Sequence, residues 1–419
     1  MRPPVTTMFS RDDGFTLTEL LVSTTIMLLV AGTTLTTFKN AVDINDTASQ
    51  LGDTNQNLRA GTNTLVRDLM MAGRIIANGG VPVPSGGGAA AIARPGPPGS
   101  NLTFSVVADD DGTTMLPAIT PGYALGAPVN PGNTTDIVTI LTVDEFMPML
   151  KGLGANTPGT FDNTMAVIAA DGSSLTMLNT SPWLVGDTTN DTSPINVGDI
   201  ILFKNTNGMA IQTVTSKDGT HIYFAQNDST NDWFHLNQRN VSANTGGTGT
   251  VFCIKASDMC DTTAVPATSP VPSATVNAAW SGTPSNVGAG TALMRLLMIT
   301  YYVDNTTTPG TPRLTRMINH FTPQALAGVV EDLDLTYDLV DTADPTAAPV
   351  QGLTTLPQTI GGITYTANMI KKVNIHLGVR SEQLSKPTLS YVRNHITTAV
   401  GVRSLASTDR YDTSNSPGS

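Results

Sequence analysis

Glu19 is the residue whose position most needs a chemical reason. It lies four residues into residues 15–38, FTLTELLVSTTIMLLVAGTTLTTF, the one apolar stretch of membrane length in the chain, closed by Lys39. An unpaired carboxylate near the middle of a bilayer costs about 2.5–3.5 kcal/mol. A segment needed only for greasiness gains nothing from it, whereas a cation placed alongside would offset the cost. Were the chain cut after Gly14, Phe15 would carry a new α-amino group one helical turn from Glu19, on the same face. That pair can form within one chain or between chains packed side by side.

The other reactive side chains make no such pattern. His221, His235, His320, His376 and His395 are scattered, with no H-E-x-x-H and no ligand pair at helical spacing. Neither a G-x-S-x-G elbow nor a G-x-x-x-x-G-K-[ST] loop is present. The sequence therefore names no catalytic residue, no metal site and no cofactor. Asp109-Asp110-Asp111-Gly112 gathers hard oxygens that suit Ca²⁺, but without the ligand spacing of a full loop, and a solvated turn competes with it; Asp187 and Asp191 pose the same choice. Trp233-Phe234 reads either as an exposed adhesive contact or as a core pair. Cys253 and Cys260 form a lone C-x6-C, without the paired C-x2-C units of a zinc site. Two readings stay open: a disulfide closing a small loop in an oxidising compartment, worth about 2–3 kcal/mol, or two separate buried thiols.

The elements that carry these residues follow from composition and periodicity. The chain has 419 residues, 22 Lys+Arg against 33 Asp+Glu, a net charge of −11 and only 13% charged residues. That balance excludes nucleic-acid binding through a basic surface. With 40% hydrophobic residues it also excludes a wholly disordered acidic chain. Leu51, Leu58, Leu65, Leu69, Ala72 and Ile76 form one apolar stripe that prolongs the first segment into a helix over residues 15–77, stopped by Gly79-Gly80 and Pro82. Gly52 and Gly61 interrupt its propensity. From Leu58 onward the stripe suits packing on the protein's own sheet; from Phe15 to about Asn57 it suits contact with other subunits. Residues 78–100 read as a Gly/Pro/Ala linker or surface loop.

Beyond it β-structure is expected. Residues 200–203, 209–215 and 221–224, separated by Asn207-Gly208 and Asp218-Gly219, predict a β-meander. Further strands are expected at 102–107, 137–143, 296–303, 333–340 and 372–379. Residues 262–292 are low in charge and rich in Pro and Ser, a long exposed loop within a head spanning 101–411, and 412–419 form a disordered tail. The fold class is α+β: a long amino-terminal helix packed on a large β-rich head.

Gly14-Phe15-Thr16-Leu17-Thr18-Glu19-Leu20-Leu21-Val22 resembles the class III signal of type IV pilins and type II secretion pseudopilins. The resemblance implies a leader of residues 1–14, cleavage between Gly14 and Phe15 by a prepilin peptidase, N-methylation of Phe15, and a salt bridge from Glu19 to the amino terminus of a neighbouring subunit. Asp12 and Asp13 stand where that family favours basic residues. Thr36 stands where many major pilins have a proline, so one expected kink is absent. Tyr301-Tyr302-Val303-Asp304, Arg313-Leu314-Thr315-Arg316, residues 329–337 (VVEDLDLTY) and residues 400–405 (VGVRSL) with Arg410-Tyr411 after them, in that order, are similar to the PilW group of minor pilins, and residues 371–380 (KKVNIHLGVR) fit a strand just upstream of the ending.

The implied protein is a pilin-like structural subunit, not an enzyme, that helps start or cap a filament. Its partners would be the prepilin peptidase, other minor and major pilins, the inner-membrane assembly platform and, before assembly, membrane lipid, with no nucleic acid bound directly. It would sit in the inner membrane with its head in the periplasm, then move to the pilus surface. Two alternatives remain: a GspJ-like minor pseudopilin of type II secretion, and an exported adhesive or ligand-binding protein that uses the helix as an anchor. An ordinary secretory signal cleaved near Ala31 or Gly32, or a plain signal anchor, are the simpler readings of the apolar segment, and Glu19 argues against both.

Overall fold

The computed structural model describes residues 15–76, 80–82, 91–104, 107–108, 114–130, 133–154, 162–169, 174–184, 194–205, 208–225, 228–237, 291–307, 309–341, 344, 348–386 and 388–402. Gly14, Cys253, Cys260, Asp109 to Asp111, Asp187 and Asp191 lie outside these, as do the expected leader, most of the 262–292 loop and the 412–419 tail.

A single α-helix, Leu17–Met71, runs unbroken for 55 residues, about 82 Å at 1.5 Å per residue. Thr16 caps it, with extended backbone at ψ 151° and its side chain accepting from the Glu19 amide. The helix stops short of the expected residue 77. The reason is Gly73, whose φ of 73° takes the left-handed turn after Ala72. Its amide then bonds to Leu141 O at 2.9 Å, tying the end of the helix to a strand.

The other described elements are, apart from a short 3-10 turn at Ala367–Met369, β-strands in several sheets. The largest has twelve strands around Ala292–Asp304. The first half of this strand lies between Leu150–Gly154 and Ile200–Asn205, and its second half between Ile137–Val143 and Arg313–Ile318. A four-stranded antiparallel sheet runs Val350–Leu353, Val330–Leu339, Ile370–Ser385, Ser390–Gly401. The helix packs against both. Leu58, Leu65, Leu69 and Ala72 share one core with Ile140, Ile299 and Tyr301 of the large sheet and with Leu335, Val373 and Ile375 of the small one. Two further cores fill the head, one containing Trp183 and Phe203, the other Leu202, Phe234 and Leu296.

The long helix and the large β-rich region make the chain α+β. Three local expectations are corrected. The 200–224 stretch is not one meander: Ile200–Asn205 pairs with Gly208–Thr213 and Ser216–Lys217 with His221–Tyr223, and the two hairpins stand at opposite ends of the large sheet's main strand path. The 102–107 strand divides into Leu102–Thr103 and Val107–Ala108, in different sheets. The described residues of the expected 78–100 linker, 80–82 and 91–100, include strands and buried side chains. Val81–Pro82 and Ala93–Arg94 are strands, Val81 and Ile92 are buried, and Arg94 is buried among Thr139 Oγ1 and the carbonyls of Thr120, Pro121 and Ile137. Those acceptors hold a guanidinium whose pKa burial pushes down to about 10.

Candidate membrane-spanning helix and its clamp to the head

Residues 15–42 are each exposed, with Phe15 at 83%, Met27 at 73% and Leu28 at 74%. The helix is long and apolar enough, by length and composition, to cross a membrane, and no part of its most apolar window is buried in the protein. Its many hydroxyls do not spoil that. Thr24, Thr25, Thr34, Thr36 and Thr37 each donate to the carbonyl four residues earlier, and Ser23 and Thr33 to the one three residues earlier. Donors satisfied inside the helix carry little penalty in hydrocarbon.

Glu19 faces solvent and serves the helix start. One carboxylate oxygen accepts from the Thr16 amide at 3.0 Å and from the Thr16 hydroxyl at 2.9 Å, while Thr16 Oγ1 accepts from the Glu19 amide at 3.3 Å. This is a capping box. Sequence reasoning weighed the acid only against its membrane cost; the Thr-x-x-Glu spacing was the signal for this second role.

The head takes hold of the helix at Asp46 and Thr47, which meet Lys386 at 3.3 Å and Ser385 at 3.1 Å. From Thr54 onward one face is buried. At Gly61 helix and sheet approach closely: a Cβ there would stand 3.0 Å from Ala327 Cβ and 3.2 Å from Leu314 Cδ2. Deeper still, fully buried Asp68 Oδ2 accepts from Tyr301 Oη at 2.7 Å and Arg316 Nε at 2.6 Å. Tyr301 and Arg316 are cross-strand partners, so the strand register sets both donors against one acid. Burial and the Asp68 charge together raise the Tyr301 pKa, keeping it a donor. For Arg316, burial opposes the charge, but the hydrogen bond and charge of Asp68 outweigh it and raise the pKa. Sequence reasoning missed this clamp. Its signal was an acid inside the apolar stripe, between Leu65 and Leu69.

The remaining candidates fall as follows. Phe234 is fully buried and Trp233 half-buried, stacked on His320 with ring centroids 3.9 Å apart, which favours the core alternative for that pair. Two of the histidines that are scattered in sequence meet on the four-stranded sheet: His376 and His395 have ring centroids 5.5 Å apart, and His376 Nε2 lies 3.6 Å from Asp332. His221 stands beside Asp218 and Tyr223. Among the described residues no three His, Cys, Asp or Glu side chains are grouped to hold a metal ion. No protein-family model, curated protein or solved structure matches the chain.

Proposed function

We infer that this chain is a membrane-anchored structural subunit that assembles with like subunits through its helix, a minor pilin similar to the PilW group. The observation that carries this is the division of one continuous helix. Residues 15–38 offer an exposed, largely apolar surface, and the stretch from Thr54 to Met71 is built into the head. Only two environments cover the first part without cost, lipid and other apolar helices, and a filament subunit exchanges one for the other. Glu19, kept in the first turn of that surface, then neutralises an amino terminus made by cleavage between Gly14 and Phe15. The bulk of the β-rich head suits a filament end, where it crowds no neighbour on one side.

The capping box supports the plainer alternative, an anchored adhesive or ligand-binding protein in which Glu19 merely starts the helix. Glu19→Gln separates the two, because glutamine at this capping position still reaches the Thr16 amide but carries no charge. The subunit reading expects normal expression and membrane anchoring with loss of incorporation into filaments. Incorporation at the parental level would leave the capping role alone and overturn the assembly role of Glu19.

A further inference from the structure

We propose that the hairpin joining Ile370–Ser385 to Ser390–Gly401 is a second membrane contact, resting its tip on the lipid headgroup layer while the helix is anchored. The proposal rests on the reading of residues 15–38 as a membrane span. The two hairpin strands lie along the helix in a definite direction. Asn394, within the second strand, bonds to Asn55, whereas Ser385 and Lys386, next to the tip, meet Thr47 and Asp46. The hairpin therefore points towards the bare part of the helix, and its tip reaches the helix at the point where the head first takes hold. Asp46 lies eight residues beyond Phe38, about 12 Å along the axis, and the headgroup layer of each leaflet is roughly 5–7 Å deep. For an upright span this leaves the contact point about 5–7 Å beyond the headgroups, a gap that tilting of the span and the reach of the Leu389 and Lys386 side chains close.

The tip has the chemistry of an interfacial contact. Leu389 is 78% exposed and Leu384 47% exposed, with the Lys386 side chain 70% exposed beside them. Leu389 also holds φ at 49°, a left-handed conformation unfavourable for leucine, with its amide donating to Ser385 O at 2.8 Å. Neither the packing of the head nor its turn chemistry calls for an apolar side chain there. On the helix facing the same level, Val42 and Ile44 are exposed, and Lys39 marks the end of the span. The exposed leucines suit the acyl boundary, and they carry the contact, because Lys39 and Lys386 are balanced at this level by Asp43 and Asp46, the second paired with Lys386. Continuity with the span selects lipid over another occupant.

The test uses the full chain in a Cys253→Ser, Cys260→Ser background, reconstituted into vesicles of phosphatidylethanolamine and phosphatidylglycerol. A nitroxide is placed in turn at Leu389→Cys, Leu28→Cys and Phe146→Cys, and its accessibility to a water-soluble nickel complex is compared with that to oxygen. Phe146 is 96% exposed, so protein shielding alone leaves positions 389 and 146 alike. The expected result is a lipid-shielded Leu28, a freely accessible Phe146, and loss of most nickel accessibility at Leu389. Leu389 as accessible as Phe146, with Leu28 shielded, overturns the hairpin contact and leaves the anchor standing. Leu28 accessible to nickel removes the anchor, and the hairpin contact with it.

Discussion

The two parts of the long helix share one backbone and differ in almost everything their side chains do. From Phe15 to Phe38 the surface is exposed and, Glu19 and the hydroxyls apart, apolar on every side; from Thr54 to Met71 it is apolar along one stripe, and that stripe is buried. The glycines show the contrast at single-atom scale. A Cβ at Gly32, in the bare part, would meet nothing within 4 Å, whereas one at Gly61 would press on Ala327 and Leu314. An all-round apolar helix belongs in lipid or among other helices, and a striped one belongs on its own sheet. The lesson is that a single secondary-structure element can present two unlike surfaces, the first side-chain bonds to the head falling at Asp46 and Thr47.

The largest effect expected is at the clamp. Asp68→Ala leaves Arg316 with no acid in a nearly closed site, and urea unfolding of the head should show a loss of about 3–5 kcal/mol. A loss no greater than that of a surface substitution would mean the helix is not held there. Next, Gly61→Val forces overpacking against Ala327 and should cost about 1–3 kcal/mol. Gly52→Ala has the opposite sign: with open space around it, the helix gains about 0.8–1 kcal/mol of local propensity. The same pair of denaturation curves checks both, and equal signs would erase the distinction between the open and the packed face of the helix.

The smallest effect is a pH dependence within the head. Burial lowers the His320 pKa below its usual 6.5, so its contribution to stability is full above pH 6.5 and is lost as pH falls through the lowered folded value. His320→Phe keeps a ring against Trp233 and cannot take up a proton. Its unfolding midpoint should fall less than that of the parent between pH 7.5 and pH 5.5, and parallel midpoints would contradict this.

Much of this was legible in the sequence where the signal is local and repeated. The strand Ile137–Val143 has the expected bounds because seven apolar or β-branched residues stand in a row, all buried. The stripe from Leu58 to Ile76 found its own core for the same reason. The unread parts depend on distant partners. Ser390–Gly401 escaped notice because Asn394 and Thr398 alternate with Val392, Ile396 and Val400 on its inward face, so the period of two is blurred. Asn207-Gly208 and Asp218-Gly219 announced two hairpins truly but not their separation, which is set by pairing with Ala292–Asp304 far along the chain. Asp68 was invisible as a site because its donors, Tyr301 and Arg316, lie more than 230 residues away. The Gly14–Phe15 junction and Glu19 are the reverse case: the motif is plain in sequence, and the described structure begins at Phe15.

The account turns on the amino terminus that Glu19 is proposed to neutralise. Its most direct test is intact mass and amino-terminal sequencing of the membrane-extracted full chain, with and without a co-expressed prepilin peptidase. The account predicts a peptidase-dependent chain that begins with N-methyl-Phe15. A chain that keeps Met1 in the presence of the peptidase, or that begins near Thr33, would contradict it and put the anchored adhesive protein in its place.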